Sequence, residues 1–473
     1  GWNDVSYHGS PQILTPNIDA LAWNGIRLNR YYTQPLCTPS RAALMTGRYP
    51  IHTGMQNMVI LTTEPRGLSL DYKILPQWLG DLGYVNQMLG KWHLGFHKKD
   101  YTPTKRGFQS HIGSWEGFQD YYTHIMIFDW EGVMSLRGHD FHRDLQQAKE
   151  DDGRYYTTLM NEETVKLIKA HPVEKPLFLY LAHLAVHSGN EEAPLKAPEK
   201  YTTPYQDIKH PNRTLYAGLL SALDESVGAL FEALGERGMI NDTVIVLTSD
   251  NGAGVTTQFS SYGSSEPMRG QKGTAWEGGV HVPAIVWGSV FAEQRGVVVD
   301  DLFHVSDWLP TFYQLAGGDP SKLGKIDGVS QLNVLMHREK SPRTEILVAI
   351  EQVENFSALI DGHFKYIQGD DQEGKYGLWY KLLGNVSRTQ DDARNGCEGS
   401  LVVRVMKHHG LAATCGQGPS TYATPPFKCG PEDPTKQCSP IIKPCLFDLS
   451  KDPCEYNDIS AENTEVTTYL WAR

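Results

Sequence analysis

Apolar positions along the chain change period from segment to segment, and the alternation predicts helices and strands in turn. Leu215, Leu219, Leu223, Val227 and Leu230 recur every three or four residues, the stripe of a long amphipathic helix over Leu215 to Leu234. Tyr155 to Ala170 and Ile74 to Leu82 carry the same period, the second stopped by Gly83. Thr15-Pro16 opens another helix, because Thr suits the N-cap and Pro the first helical position, and Gly25 can close it. Short strands are predicted between the helices: Tyr84 to Leu89, Pro176 to Val186 and Asp242 to Leu247. The continuous apolar run in Pro176 to Val186 reads as a buried strand, whereas Ile26 to Tyr32 alternates apolar and polar residues. His304 to Leu315 reads as the last helix of the series. Strands alternating with helices predict an α/β fold, which places ligands at the carboxyl ends of its strands.

Around Arg338 to Arg343 the pattern changes. Ile346 to Ile350, Ser357 to Asp361 and Phe364 to Ile367 predict an antiparallel sheet, with Asp361-Gly362 as a hairpin signal. Gly369 to Lys443 is polar, rich in Gly, Pro and Cys, and predicts loops. A chain of 473 residues exceeds the usual single core, so we expect two domains, 1–340 and 341–473, the second a smaller α+β unit. Gly107 to Gly153, dense in aromatics, glycines and histidines, predicts a loop-rich excursion of the kind that lines a substrate pocket. Its His124, His139 and His142 read as packing or surface residues, and His183 as a satisfied polar group in a core strand.

Composition narrows the choices. The chain is 40% hydrophobic and 21% charged, as globular proteins are, and no apolar stretch is long enough to cross a bilayer. The net charge of −12 and the lack of a basic run argue against nucleic acid as a partner. An anionic substrate would need a locally basic pocket. Of 7 cysteines, Cys37 stands alone, while Cys397, Cys415, Cys429, Cys438, Cys445 and Cys454 crowd near the end and read as disulfides of open connectivity. No C-x-x-C pair supports zinc. Asn212, Asn241, Asn355 and Asn385 each begin an Asn-x-Ser/Thr acceptor, and with the cysteines they predict a secretory-pathway glycoprotein, lysosomal or secreted.

Four stretches carry candidate chemistry. Leu36-Cys37-Thr38-Pro39-Ser40-Arg41 runs into the helix formers Ala42 to Met45, which seats Cys37 at a helix N-terminus, where negative charge is favoured. Gly90-Lys91-Trp92-His93-Leu94-Gly95 follows a strand, and an extended backbone would turn Lys91 and His93 to one side. His187 closes another strand. Thr248-Ser249-Asp250-Asn251-Gly252 ends a third and offers hard oxygens suited to Ca2+ or Mg2+. Arg269-Gly270-Gln271-Lys272-Gly273 is a charged glycine-rich loop.

Cys-x-Pro-Ser-Arg continuing into Leu44-Met45-Thr46-Gly47-Arg48, together with Gly-Lys-Trp-His-Leu-Gly, resembles the signatures of the sulfatase family. The upstream phrases Gly1-Trp2-Asn3-Asp4-Val5 and Tyr31-Tyr32-Thr33-Gln34-Pro35-Leu36 are most similar to its arylsulfatase B branch. The likeness runs from Gly1 to about Pro283 and returns at Cys445 to Pro453. It implies an alkaline-phosphatase-like mixed sheet sandwiched by helices. It also implies that Cys37 is oxidised to formylglycine by a generating enzyme during maturation, and that Asp250, Asn251 and residue 37 hold Ca2+ or Mg2+. The hydrated aldehyde would attack sulfur, with Lys91 and Lys272 neutralising the sulfuryl oxygens. His187 would protonate the leaving alcohol, His93 would take a proton as the sulfated enzyme breaks down, and Arg41 would hold residue 37 and a metal ligand in place. The implied substrate is a sulfated N-acetylgalactosamine of a glycosaminoglycan, with an aryl or other small sulfate ester open. In that family a metal-ligating Asp-Asp pair stands just before the Gly-Trp-Asn-Asp phrase. Asp4 does not match it, and the expectation is a truncated start. Two other readings stand beside this one: a phosphoesterase of the same superfamily, and an inactive secreted binding protein with this fold.

Overall fold

A computed structural model describes residues 1–130, 134–256, 261–370, 374–416 and 428–473. Helix α1 (Pro16–Asn24) starts after Thr15 and ends at Gly25, where the turn residues place it. Strand β1 (Ile26–Leu28) is shorter than the alternation implies: the chain turns at Asn29-Arg30, and only Tyr31–Tyr32 resumes, paired with Phe303–His304. Helix α2 (Cys37–Thr46) closes on Gly47, whose φ of 64° is the left-handed conformation a C-cap glycine adopts readily. α3 (Leu75–Asp81) and β2 (Val85–Gly90) follow.

The excursion carries short strands among its loops. It holds β3 (Ser110–Gly113), a hairpin of Ile125–Trp130 with Met134–His139, β4 (His142–Arg143) and β5 (Gln146–Gln147). Its residues 131–133 lie outside the described residues. These strands are short and interrupted by Gly and His, so no window of the sequence shows a sustained period. Next come α4 (Tyr156–Ala170), β6 (Leu177–Ala182), α5 (Pro211–Glu236), β7 (Val244–Thr248), β8 (Ala284–Gly288) and β9 (Val298–Val299). The last helix of the series, α6 (Trp308–Leu315), begins later than expected, because His304 is held in a strand and its backbone N–H donates to the Asp307 carboxylate.

The mixed sheet comes as two blocks, β5-β4-β3-β2-β6 and β7-β8-β1-β9. Among the described residues β6 runs parallel to β2 and pairs with no other strand, and β7 pairs only with β8. Both edge strands face one cavity of about 1390 Å³, so their apolar residues are half-buried, where the continuous run of β6 predicts full burial.

The last part of the chain forms an antiparallel sheet in the order β10 (Glu345–Glu351), β11 (Phe356–Asp361), β12 (Phe364–Gln368) and β13 (Cys445–Asp448). The segment expected as loops contains two helices, α7 (Gln390–Gly399) and α8 (Leu401–His408), whereas its residues 371–373 and 417–427 lie outside the described residues. Both helices pack on α1, and α8 also on α5, burying Val402, Val403 and Met406. The disulfides join Cys397 to Cys415, Cys429 to Cys454 and Cys438 to Cys445. No described helix is long and apolar enough to cross a membrane.

The start of the last sheet is tied to the first core by charge. The Arg343 guanidinium donates to both oxygens of Asp307, with Nε to Oδ2 at 2.7 Å, and both side chains are buried. Arg343→Met would strand the Asp307 carboxylate and is expected to cost about 3–5 kcal/mol, read as a lower denaturation midpoint; an unchanged midpoint would show that the pair does not hold the fold. A second prediction concerns acid. Burial pushes His111 and His183 down to about 4, so both are neutral when folded and charge readily once unfolded. Their contribution is present above the ordinary histidine value and is lost as pH falls from about 6.5 towards 4. His111→Asn should flatten that part of the stability–pH curve.

Candidate active site

α2 starts at Cys37, and three strand ends converge on it. The Cys37 thiol donates to Asn251 Oδ1 at 3.3 Å, which ties the helix to the turn after β7. One turn along, Arg41 donates through Nε and Nη2 to Asp250 Oδ2, at 3.0 and 2.8 Å, and through Nη1 to the Lys91 carbonyl at 2.6 Å. Thr38 Oγ1 donates to the His93 carbonyl at 3.1 Å. A single helical turn thus fixes the ends of β2 and β7.

Lys91 and His93 both reach the thiol, but not along an extended backbone: His93 has a φ of 60°. Neighbouring backbone holds that turn, with Trp92 N donating to Ser114 O at 2.9 Å and His93 N to Trp115 O at 3.0 Å. His93 Nε2–H donates to Ile60 O at 2.9 Å, which leaves Nδ1 as the basic nitrogen. His187, beyond the end of β6, donates from Nδ1 to Ser188 O at 2.7 Å and accepts at Nε2 from Lys272 Nζ at 2.8 Å. The Lys272 loop is pinned in turn: Lys272 N donates to Ala253 O at 2.8 Å and Gly273 N to Pro35 O at 2.9 Å. Behind the loop, buried Glu277 accepts from Lys365 Nζ of β12 at 2.8 Å and from Tyr32 Oη at 3.0 Å.

The site is electropositive and largely buried. Cys37, Arg41, Lys91, His93 and Lys272 are all buried. Burial alone would raise the Cys37 thiol, but the Lys272 and Lys91 ammonium groups, with hydrogen bonds from His187 and His93, hold it well below the usual thiol range. Burial, then Lys272 and Lys91, push His187 down to about 4, so it is a neutral acceptor here. Burial also lowers Lys91, as does the neighbouring Arg41. These charges, added to the helix N-terminus, make a seat for an anion.

Asp250 and Asn251 present hard oxygens beside Cys37. No group of three or more His, Cys, Asp or Glu able to hold a metal ion occurs among the described residues. The pair therefore fits Ca2+ or Mg2+ in donor type and covers part of its coordination. Asp4 lies elsewhere, with Arg213 at 2.7 Å and Tyr216 Oη donating to it at 2.7 Å.

Several supporting residues carry no sequence signal. Tyr180 Oη accepts from Arg41 Nη1 at 3.3 Å, Tyr121 Oη donates to His187 O at 2.7 Å, and Phe118 lies parallel to the His187 ring. Gly117 leaves room for the His93 ring, since a Cβ there would come within 2.5 Å of it. Tyr180 is masked by a wholly apolar strand; the other three lie in the aromatic excursion, whose density of rings was the one available hint. His124, His139 and His142 stay out of the site, and His183 meets Ser226 Oγ at 3.1 Å.

The sulfatase family model matches residues 1–318. Arylsulfatase J of Mus musculus is 40% identical over 391 residues, 82% of this chain and 61% of that protein. N-acetylgalactosamine-6-sulfatase of Mus musculus is 31% identical over 360 residues, 72% of this chain and 65% of that protein. The matched region thus spans less than two thirds of either relative. The crystal structure of Ps i-CgsB in complex with k-i-k-neocarrahexaose shares the fold, with a TM-score of 0.73 and 24% identity over 99% of this chain and 88% of that one. On the family match and the identity to arylsulfatase J, this chain belongs to the sulfatase family.

Proposed function

We propose that this protein hydrolyses sulfate esters at residue 37. One observation carries the reading: two lysines and two histidines converge on a buried cysteine at a helix N-terminus, bonded to Asn251. A sulfate ester is an anion of the size this seat suits, and its bridging oxygen leaves as an alcohol. Lys91 and Lys272 draw the sulfuryl oxygens in and offset their charge as it redistributes, with no reorganisation of solvent at the moment of reaction. Once the bound anion offsets the two lysine charges, His187 takes up a proton at Nε2, which the Nδ1–Ser188 bond aims into the site, and passes it to the leaving oxygen, while Lys272 stays charged. His93 Nδ1 is the base, since its Nε2–H is committed to Ile60 O. Arg41 keeps Asp250 and the Lys91 backbone in register with the helix.

Sulfatases generally use a formylglycine and a divalent metal. The Cys37 position suits the small oxygen-bearing side chain, since donors already surround its sulfur. When present, the formylglycine supplies the oxygen nucleophile and the cation lowers that oxygen's pKa. Asp250 and Asn251 would hold Ca2+, or Mg2+ in its place.

The substrate class we favour is a sulfated N-acetylhexosamine, with simple aryl sulfates as surrogates. The names of the relatives support this, as does the locally basic site in a protein of net charge −12. Maturation by a formylglycine-generating enzyme, and lysosomal or secreted residence, fit the three disulfides and the exposed Asn241, Asn355 and Asn385 acceptors.

Two outcomes test this. Mass spectrometry of the tryptic peptide ending at Arg41 should find an aldehyde in place of the Cys37 thiol when the modifying enzyme is co-expressed. Cys37→Ala should then abolish hydrolysis of an aryl sulfate, and full retention of turnover would refute the reading. Lys272→Ala should lower kcat by about 10² to 10³ while the protein stays folded by circular dichroism. A change in KM alone would assign Lys272 to binding and not to the reaction.

A further inference from the structure

Asp140 takes no part in the reaction above, yet it is buried directly after the hairpin strand Met134–His139 and grips the wall of the site. Its carboxylate accepts two successive backbone N–H groups, Trp115 N on Oδ1 at 3.1 Å and Glu116 N on Oδ2 at 2.8 Å. Its own N–H donates to His124 O at 2.9 Å, at the base of the hairpin. The segment it holds, 115–118, touches both histidines of the site. Trp115 O accepts from His93 N at 3.0 Å, and Gly117 lies so close to the His93 ring that a Cβ would come within 2.5 Å of Cε1. Phe118, the next residue, lies parallel to the His187 ring with centroids 6.5 Å apart.

The grip is unfavourable for stability, which argues that it serves placement. Burial raises the Asp140 carboxyl to about 7, and the Trp115 and Glu116 N–H groups oppose that rise by favouring the charged form. His142 Nδ1 stands 3.4 Å away, but burial pushes His142 down to about 3, so it brings no charge. A buried carboxylate with no cation beside it among the described residues costs stability, and departures of this kind concentrate at functional sites.

We propose that Asp140 is the positioning residue for both site histidines. By fixing 115–118 it sets where the His93 ring stands against residue 37 and where the His187 ring meets the leaving oxygen. The inference deepens the proposed sulfate-ester reaction and rests on it for the roles of the two rings. A carboxylate suits the task because both of its oxygens accept. Asparagine keeps the shape, but its NH2 group would face one of the two N–H donors and leave it unpartnered. The freed segment then shifts against both rings together.

The experiment is Asp140→Asn with two readouts. In ring-15N spectra of histidine-labelled protein, the His93 and His187 signals, assigned with His93→Gln and His187→Gln, should both move. The signal of His171, bonded to Lys175 O at 2.8 Å, should stay. In turnover, kcat should fall about tenfold on 4-nitrophenyl sulfate and about 100-fold on an unactivated sugar sulfate, because only the poor leaving group depends on the proton from His187. A variant that is merely less folded would lose the same fraction on both esters. Equal loss on both, or unmoved His93 and His187 signals, would overturn the proposal. If Asp140→Asn does not fold, Gly117→Ala decides. Its φ lies outside the left-handed region, so alanine suits the backbone and the new Cβ must displace the His93 ring. Both ring signals should again move, that of His187 through Phe118, and an unmoved His187 signal would equally overturn the proposal. Should the unaltered protein hydrolyse no sulfate ester, the reading of the reaction fails, and the ring signals still decide the role of Asp140.

Discussion

The arrangement rests on the first turn of α2, which must be pinned at two points to strands that are distant in sequence. The Cys37–Asn251 bond and the Arg41–Asp250 pair fasten that turn to the end of β7, and the Arg41–Lys91 carbonyl bond fastens it to the end of β2. Arg is suited to this task, because its fork of N–H donors serves a carboxylate and a carbonyl at once. Remove that fork and the helix N-terminus, the lysine and the oxygen donors lose their common reference.

A second constraint follows from burial. Several cations enclosed together are costly unless an anion or a lowered pKa relieves them. Here relief comes partly from the Cys37 thiol, whose pKa the lysines lower, and partly from His187 and His93, whose pKa values burial and the same charges push down. The same economy leaves the site ready for an anionic ligand, whose arrival offsets the charge of Lys91 and Lys272 on His187. The Lys272 loop is kept in place from behind by the Glu277–Lys365 pair, so the last sheet contributes to the site without lining it.

Much of this was legible in the chain. Apolar periodicity marks α1, α4 and α5 to within a few residues, and Pro16, Gly25 and Gly47 mark their punctuation. The short motifs around Lys91, His187 and Asp250 follow strands and that of Cys37 opens a helix, which is where those residues lie, while Lys272 sits in the glycine-rich loop its sequence suggests. What was hidden depended on long-range packing. The left-handed His93 is set by Ser114 and Trp115, far along the chain. α7 is short and polar and α8 is a short apolar stretch inside a polar segment, and they pack as helices because Val402, Val403 and Met406 find α1 and α5. The run of β6 reads as a buried strand and is half-covered, since pairing is decided by neighbours and not by the run itself.

The most direct test of the central claim is a crystal structure of the protein soaked with inorganic sulfate. We expect the residue 37 side chain within hydrogen-bonding reach of Asn251, Arg41 on Asp250, and the sulfate held by Lys91 and Lys272 above it. Residue 37 turned away from both lysines, with Arg41 and Asp250 apart, would contradict the account.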